Sequence, residues 1–298
     1  MQTFRRPPPL HQDARVHIVA PSSPFDRARF DAGLALIEQR YRAVLAPSLF
    51  ANNGYLAGAD DARLADLRAA LSEPEARAIV PPRGGYGATR LLPQLEVESV
   101  RTAQKWLVGF SDVTALHALC ARAGLCSIHG PMVCSLPDAS PALRAAWFAL
   151  LEGGAPAALT DLTCLQSGKA EGRLFGGNLT VLSALVGTPY LPPLEDVVLI
   201  LEDVTERPYR LDRMLTSMLQ SGFFDGVRAV VLGQFTDCQP GPDGVTALEV
   251  VSERLGRLRV PLLADAPVGH VPENWPLLFG AWATVDTNAG RVDFGAPR

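Results

Sequence analysis

The chain has 298 residues, 48% hydrophobic and 19% charged, enough apolar material for two compact cores and too much for wholesale disorder. Its net charge is −4 with no basic run, which excludes a surface built to neutralise nucleic-acid phosphates. Five cysteines with no C-x-x-C pair suit a reducing compartment; the start, MQTFRRPPPL, lacks the apolar core of a signal peptide, and no apolar stretch reaches the ~18 residues of a membrane span. The expectation is a cytoplasmic protein with neither nucleic acid nor membrane as partner.

In chain order, RVHIVA (residues 15–20) reads as a buried strand closed by Pro21-Ser22-Ser23-Pro24. Phe30, Leu34, Ile37 and Tyr41 recur at helical spacing, RAVLAP is a second strand, and Leu64, Leu67 and Leu71 mark another helix with Asp60 and Asp61 near its positive end. ARAIV and KWLVGF are two more strands, and the segment after Ser111 is helical through Val113, Leu116 and Cys120. This alternation predicts a mostly parallel sheet wrapped by helices.

A Pro-containing turn, a short helix around Trp147 and the loop EGGAPAAL mark the change of pattern between Leu136 and Lys169. The division expected is an N-terminal α/β domain over 1–150 and a C-terminal β/α domain over 151–298. In the second half GGNLTVLSALVG reads as a glycine turn entering a helix, VVLILED as a buried strand and PYRLDRMLTSMLQ as an amphipathic helix. VRAVVLG is a strand, Leu248, Val251 and Leu255 mark a helix, and WPLLFGAWATVDTNAGRVDF reads as a hairpin turning at Asn288-Ala289-Gly290.

Four segments carry residues suited to chemistry. In GFSDVT, Ser111 falls at a strand-to-helix turn, where the free amides of the first helical turn, beginning with Asp112, face any developing negative charge. One such donor lowers an acyl-transfer barrier by roughly 3–4 kcal/mol. The competing role for Ser111 is a helix cap, and Val113 stands where the hydrolase elbow G-x-S-x-G has its last glycine. RGGYGATR follows a strand, and Gly85 is placed to offer a second oxyanion amide, although a plain tight turn has the same composition. Its spacing matches neither a phosphate loop nor a dinucleotide fingerprint. Glu202 ends the strand LILE, with Asp203 and Glu206 as near neighbours of the same type. Among the five histidines, His270 lies between Gly269 and a Pro-containing loop, the setting that most often carries function; His129 in SIHGPM is its competitor, while His17 and His117 lie among core positions. No H-E-x-x-H or paired His/Cys spacing indicates a metal.

The stretches VAPSSP, RGGYGATRLLP, GFSDVTALH, HGPM, GRLFGGNLTVLSALVGTPY, LEDVTERPYRLDRML and PVGH, in this order from Val19 to His270, resemble the LD-carboxypeptidases, serine peptidases that include murein-recycling and microcin-immunity enzymes. The resemblance implies a nested α/β domain joined to a swivelling β/α domain. It implies a triad of Ser111, His270 and Glu202, oxyanion amides at Gly85 and Asp112, and pocket residues at Arg83, Tyr86 and Asn178. It also implies no cofactor or metal, a homodimer, and a small peptide substrate that ends in a D-residue, such as the murein tetrapeptide. The alternative substrate is the peptidyl-nucleotide conjugate of the microcin-immunity branch.

Overall fold

A computed structural model describes residues 4–296. Its first half runs β1 (Arg15–Ile18), α1 (Arg27–Glu38), β2 (Arg42–Leu45), α2 (Asp60–Ser72), β3 (Ala76–Ile79), α3 (Val97–Ala103), β4 (Trp106–Gly109), α4 (Thr114–Arg122), β5 (Ser127–His129) and α5 (Pro141–Leu151). The second half runs β6 (Thr163–Gln166), β7 (Lys169–Asn178), α6 (Leu179–Leu185), β8 (Val197–Val204), α7 (Pro208–Gln220), β9 (Val227–Thr236), α8 (Ala247–Gly256), β10 (Leu262–Ala264), β11 (Leu277–Phe279), β12 (Trp282–Asp286) and β13 (Arg291–Gly295).

These strands form two sheets. The first has the order β11-β5-β4-β3-β1-β2; every pair in it is parallel except β11 with β5. Strand order reverses at β1, whose neighbours are β2 and β3, so the segments leaving β1 and β3 diverge around a crevice at the carboxyl ends of the strands, where open α/β sheets bind ligands. VAPSSP leaves β1 and RGGYG leaves β3, so both loops meet there. The second sheet has the order β13-β12-β7-β8-β9-β10-β6. Its centre, β7 to β10, is parallel and the flanking pairs are antiparallel.

The core explains the patterning. Val16, Ile18, Ala78, Trp106 and Val108 of the first sheet pack with Phe30, Ile37 and Trp147 from α1 and α5. The opposite face, through Leu116 and Leu119 of α4, joins Leu182 of α6 and the apolar run of β8 in one continuous cluster. The two halves therefore share apolar packing, which fixes the loops of one sheet against those of the other. Among the described residues, no helix is long and apolar enough to cross a membrane.

Two sequence expectations need correction. Gly176 and Gly177 lie within strand β7, just before its last residue, and do not form a turn; they are glycine because a Cβ on Gly176 would lie 1.9 Å from the Ile200 carbonyl oxygen, and one on Gly177 would lie 2.5 Å from Thr114 Oγ1. The C-terminal hairpin is β12 with β13 alone. Leu277–Phe279, expected in that hairpin, instead pairs antiparallel with β5 of the first sheet.

Candidate active site

Ser111 opens a single 3-10 turn, Ser111–Val113, between β4 and α4. Its φ is +62°, in the left-handed region that costs a residue with a Cβ of order 1 kcal/mol or more. The caps at this junction are Phe110 and Val113, without side-chain cap bonds, so the Ser111 hydroxyl is not engaged in capping. Its strained turn lifts the side chain out of the sheet plane, as a nucleophile elbow does.

The turn is clamped from two sides. Asp112, 2% exposed, accepts on Oδ2 from Ser22 Oγ at 2.6 Å and from the Ala88 amide at 2.8 Å. Its carboxyl is raised from the ordinary value by burial, an effect these hydrogen bonds oppose. Arg63 of α2, fully buried, donates to the carbonyls of Gly87, at 3.1 Å, and Pro21, and pairs with Asp60. The loops after β1, β3 and β4 are thus tied into one unit by groups that a chain-order reading does not connect. The RGGYG loop passes directly over the serine: a Cβ on Gly84 would lie 2.9 Å from Ser111 Cβ and 3.2 Å from the Asp112 amide nitrogen.

Glu202 reaches the same place from the second sheet. It lies near the end of β8, opposite Asn178 of β7, and is fully buried. Next to it Asp203 turns away: Oδ1 accepts from Asn178 Nδ2 at 3.0 Å and from the Val204 amide at 2.8 Å, and Oδ2 accepts from the Thr180 amide and hydroxyl at 2.9 and 2.8 Å. Burial pushes Asp203 up to about 6. Asp203 therefore ties the end of β8 to the start of α6, and Glu202 alone of the pair meets His270.

His270 follows Gly269, whose φ is +121°. A Cβ there would lie 2.9 Å from Glu202 Oε2, so only glycine lets this turn approach the carboxylate. Asn274, 2% exposed, accepts the Gly269 amide at 2.9 Å and holds the turn from behind. The result is a relay: His270 Nδ1 lies 2.7 Å from Glu202 Oε2, and His270 Nε2 lies 3.0 Å from Ser111 Oγ. The carboxylate acceptor places the ring proton on Nδ1 and leaves Nε2 as the acceptor facing the hydroxyl. The ring also meets Phe110 edge-on, with centroids 4.9 Å apart.

The competing histidine is elsewhere. His129 is fully buried, with its ring 6.1 Å from Phe110 and 5.4 Å from Phe279, and burial holds it well below its ordinary value. His117 is a core residue: Nε2 donates to the Gly109 carbonyl at 2.8 Å and Nδ1 accepts from Ser127 Oγ at 2.8 Å.

Of the expected pocket residues, Arg83 and Tyr86 are exposed, on the loop whose Gly84 faces the serine. Tyr86 stands 5.9 Å, centroid to centroid, from Tyr55, and its amide donates to Ser23 Oγ at 3.1 Å. Asn178 is buried with both ends of its amide occupied, on Asp203 and on the Val181 amide at the start of α6. Gly85 is exposed with φ +102°, against Ser23. The residues missed by sequence reasoning are Ser22, Arg63, Gly84 and Asn274. Of these only Gly84 carries a sequence signal, as the first glycine of a pair following a strand.

Residues 16–130 match the family profile for the LD-carboxypeptidase N-terminal domain, and residues 171–285 match that for the C-terminal domain. The chain belongs to the LD-carboxypeptidase family. It is 37% identical to a putative carboxypeptidase of Synechocystis sp. over 98% of both chains. It is 35% identical to the murein tetrapeptide carboxypeptidase of Pseudomonas aeruginosa, over 93% of this chain and 94% of that one. Among solved structures, the muramoyltetrapeptide carboxypeptidase of Oxalobacter formigenes superposes with a TM-score of 0.83 at 27% identity, covering 95% of this chain and 100% of the other. The microcin C7 self immunity protein MccF, in complex with aspartyl sulfamoyl adenosine, has a TM-score of 0.86 at 21% identity over 96% and 97% of the two chains, a likeness of fold. Membership makes the chain a peptidase and a hydrolase.

Proposed function

We propose that the chain is a serine LD-carboxypeptidase that releases a terminal D-amino acid from a short peptide, with D-alanine of the murein tetrapeptide as the substrate residue. The observation that carries the reading is the continuous path Ser111 Oγ, His270 Nε2, His270 Nδ1, Glu202 Oε2, at 3.0 and 2.7 Å. The P. aeruginosa relative, named for the murein tetrapeptide, supports the choice of substrate.

In this mechanism His270 Nε2 takes the Ser111 proton as Oγ attacks the scissile carbonyl carbon. Glu202 keeps the imidazole in the required tautomer and stabilises it when charged. The amides of Gly85 and Asp112 receive the oxyanion, in a setting where the donors are already oriented. His270 then returns the proton to the nitrogen of the leaving D-residue, whose amide bond breaks. A water enters, His270 takes its proton, and attack on the acyl-enzyme frees the shortened peptide and restores Ser111. No step calls on a metal or an organic cofactor. The same reading has the enzyme acting in the cytoplasm on peptides recovered from the cell wall, as a homodimer.

The test is incubation of purified protein with murein tetrapeptide and quantification of D-alanine. Release that Ser111→Ala abolishes supports the reading; full turnover by Ser111→Ala overturns the nucleophile. Aspartyl sulfamoyl adenosine in the same panel separates the substrate classes: cleavage of it alone would move the assignment to nucleotide conjugates.

A further inference from the structure

A cavity of about 500 Å³ has a lining that includes Phe25, Asp26, Arg29, Arg83, Phe110 and Met132. Phe110 immediately precedes the serine. Arg83 immediately precedes Gly84, whose α-carbon faces Ser111. Two of the cavity's lining residues are thus chain neighbours of the residues that meet at the serine.

Its charges differ in how they are engaged. Arg29 donates from Nε to the Cys134 carbonyl at 3.2 Å and is paired with Asp138. Asp26 caps α1, accepting the Arg29 amide on Oδ1 at 2.8 Å. Arg83 makes one hydrogen bond, from Nη1 to the Pro24 carbonyl at 3.1 Å, and among the described residues no carboxylate pairs with it. A guanidinium carries five donors in a planar fork, so one bond to Pro24 leaves donors to spare on this cavity-lining residue.

An enzyme that removes only terminal residues must recognise a free α-carboxylate. In a peptide, that carboxyl carbon is three bonds from the scissile carbonyl carbon, within about 4 Å. Its receptor must therefore sit on a segment adjoining the nucleophile, and the residue before Gly84 meets that requirement. Resting on the proposed function above, we propose that Arg83 receives the free α-carboxylate of the leaving residue and so restricts this enzyme to chain ends. Charge-assisted, two-pronged pairing of this kind suits a planar carboxylate and discriminates against the neutral amide.

The experiment compares murein tetrapeptide with the same peptide amidated at its C-terminus. For the wild type, kcat/KM should favour the free acid. In Arg83→Gln that preference should collapse, through a loss of about 30- to 100-fold on the acid carried mainly by KM and a much smaller loss on the amide. Arg83→Lys, which keeps the charge without the fork, should recover part of the preference. Equal losses on acid and amide, or an intact preference in Arg83→Gln, would overturn the assignment. Calorimetric binding to Ser111→Ala provides a reading that needs no turnover: tighter binding of the acid than of the amide, abolished in Ser111→Ala/Arg83→Gln, supports Arg83 as receptor, and equal binding overturns it. Acid-selective binding without D-alanine release by the wild type would overturn the hydrolytic reading and leave the receptor standing.

Discussion

The Gly84 α-carbon faces Ser111 so closely that a Cβ there would lie 2.9 Å from the Ser111 Cβ and 3.0 Å from its Oγ. Backbone and proposed nucleophile share this contact, so the cost of any side chain at 84 falls on the serine side chain. Gly84→Ala should lower kcat/KM on the tetrapeptide by about 100-fold, the scale of a displacement near 1 Å, while near-UV circular dichroism stays native-like. A variant of wild-type activity would show that the loop relaxes freely.

Ser111 holds φ +62°, a conformation that glycine adopts without the Cβ penalty. Ser111→Gly should be inactive yet more stable than Ser111→Ala, by about 1 kcal/mol. Urea denaturation of the two variants measures the difference; equal midpoints would mean that the turn carries no strain.

Glu202→Gln is nearly isosteric and keeps one acceptor oxygen but removes the charge that holds and stabilises the imidazole. If its amide presents a donor to Nδ1, the ring takes the other tautomer and Nε2 can no longer accept the serine proton. We expect kcat to fall by about 10³- to 10⁴-fold with little change in KM. Steady-state kinetics that placed the loss in KM would assign Glu202 to substrate binding.

Burial lowers His117 to about 4 from its ordinary 6.5, while the unfolded chain titrates near that ordinary value. Between these values the unfolded state binds more protons than the native one, so this residue's contribution to stability rises with pH. It is fully present above pH 6.5 and lost as pH falls towards 4, a span on the order of 3 kcal/mol. Asp203, raised to about 6, acts in the opposite sense between pH 4 and 6, so the total curve is not diagnostic. The difference between wild type and His117→Gln is: denaturation at pH 4.5, 5.5 and 7 should show the wild type losing its advantage as the pH falls. A constant difference would contradict neutral burial of His117.

Much of the first sheet was legible because its strands are short apolar runs bounded by turns, each followed by a helix with clear spacing. Helix α3, with seven residues, and strands β6 and β10, with four and three, are too short for any period to show. Gly176 and Gly177 read as a turn because their reason lies across space, in the Ile200 carbonyl and the Thr114 side chain. The strand-end positions of Ser111 and Glu202, and the loop position of His270, were readable one at a time. Their convergence was not, since 159 residues separate serine from histidine and 68 separate histidine from glutamate. Arg63 and Asn274 had no signal at all, because each serves a backbone group whose position only the folded chain defines.

Strand β11 begins seven residues after His270 and completes the first sheet beside β5. The chain therefore crosses back after delivering its histidine, and that crossing restrains the loop from both ends. It also means that a fragment ending near residue 150 would leave the β5 edge bare, with the apolar Ile128 row unpaired and prone to intermolecular pairing. Expressing the halves separately should yield an N-terminal piece that aggregates until residues 277–279 are supplied, in trans or by grafting. In evolutionary terms, the two halves cannot be exchanged like beads on a string: a new C-terminal half must bring a strand that fits the old sheet.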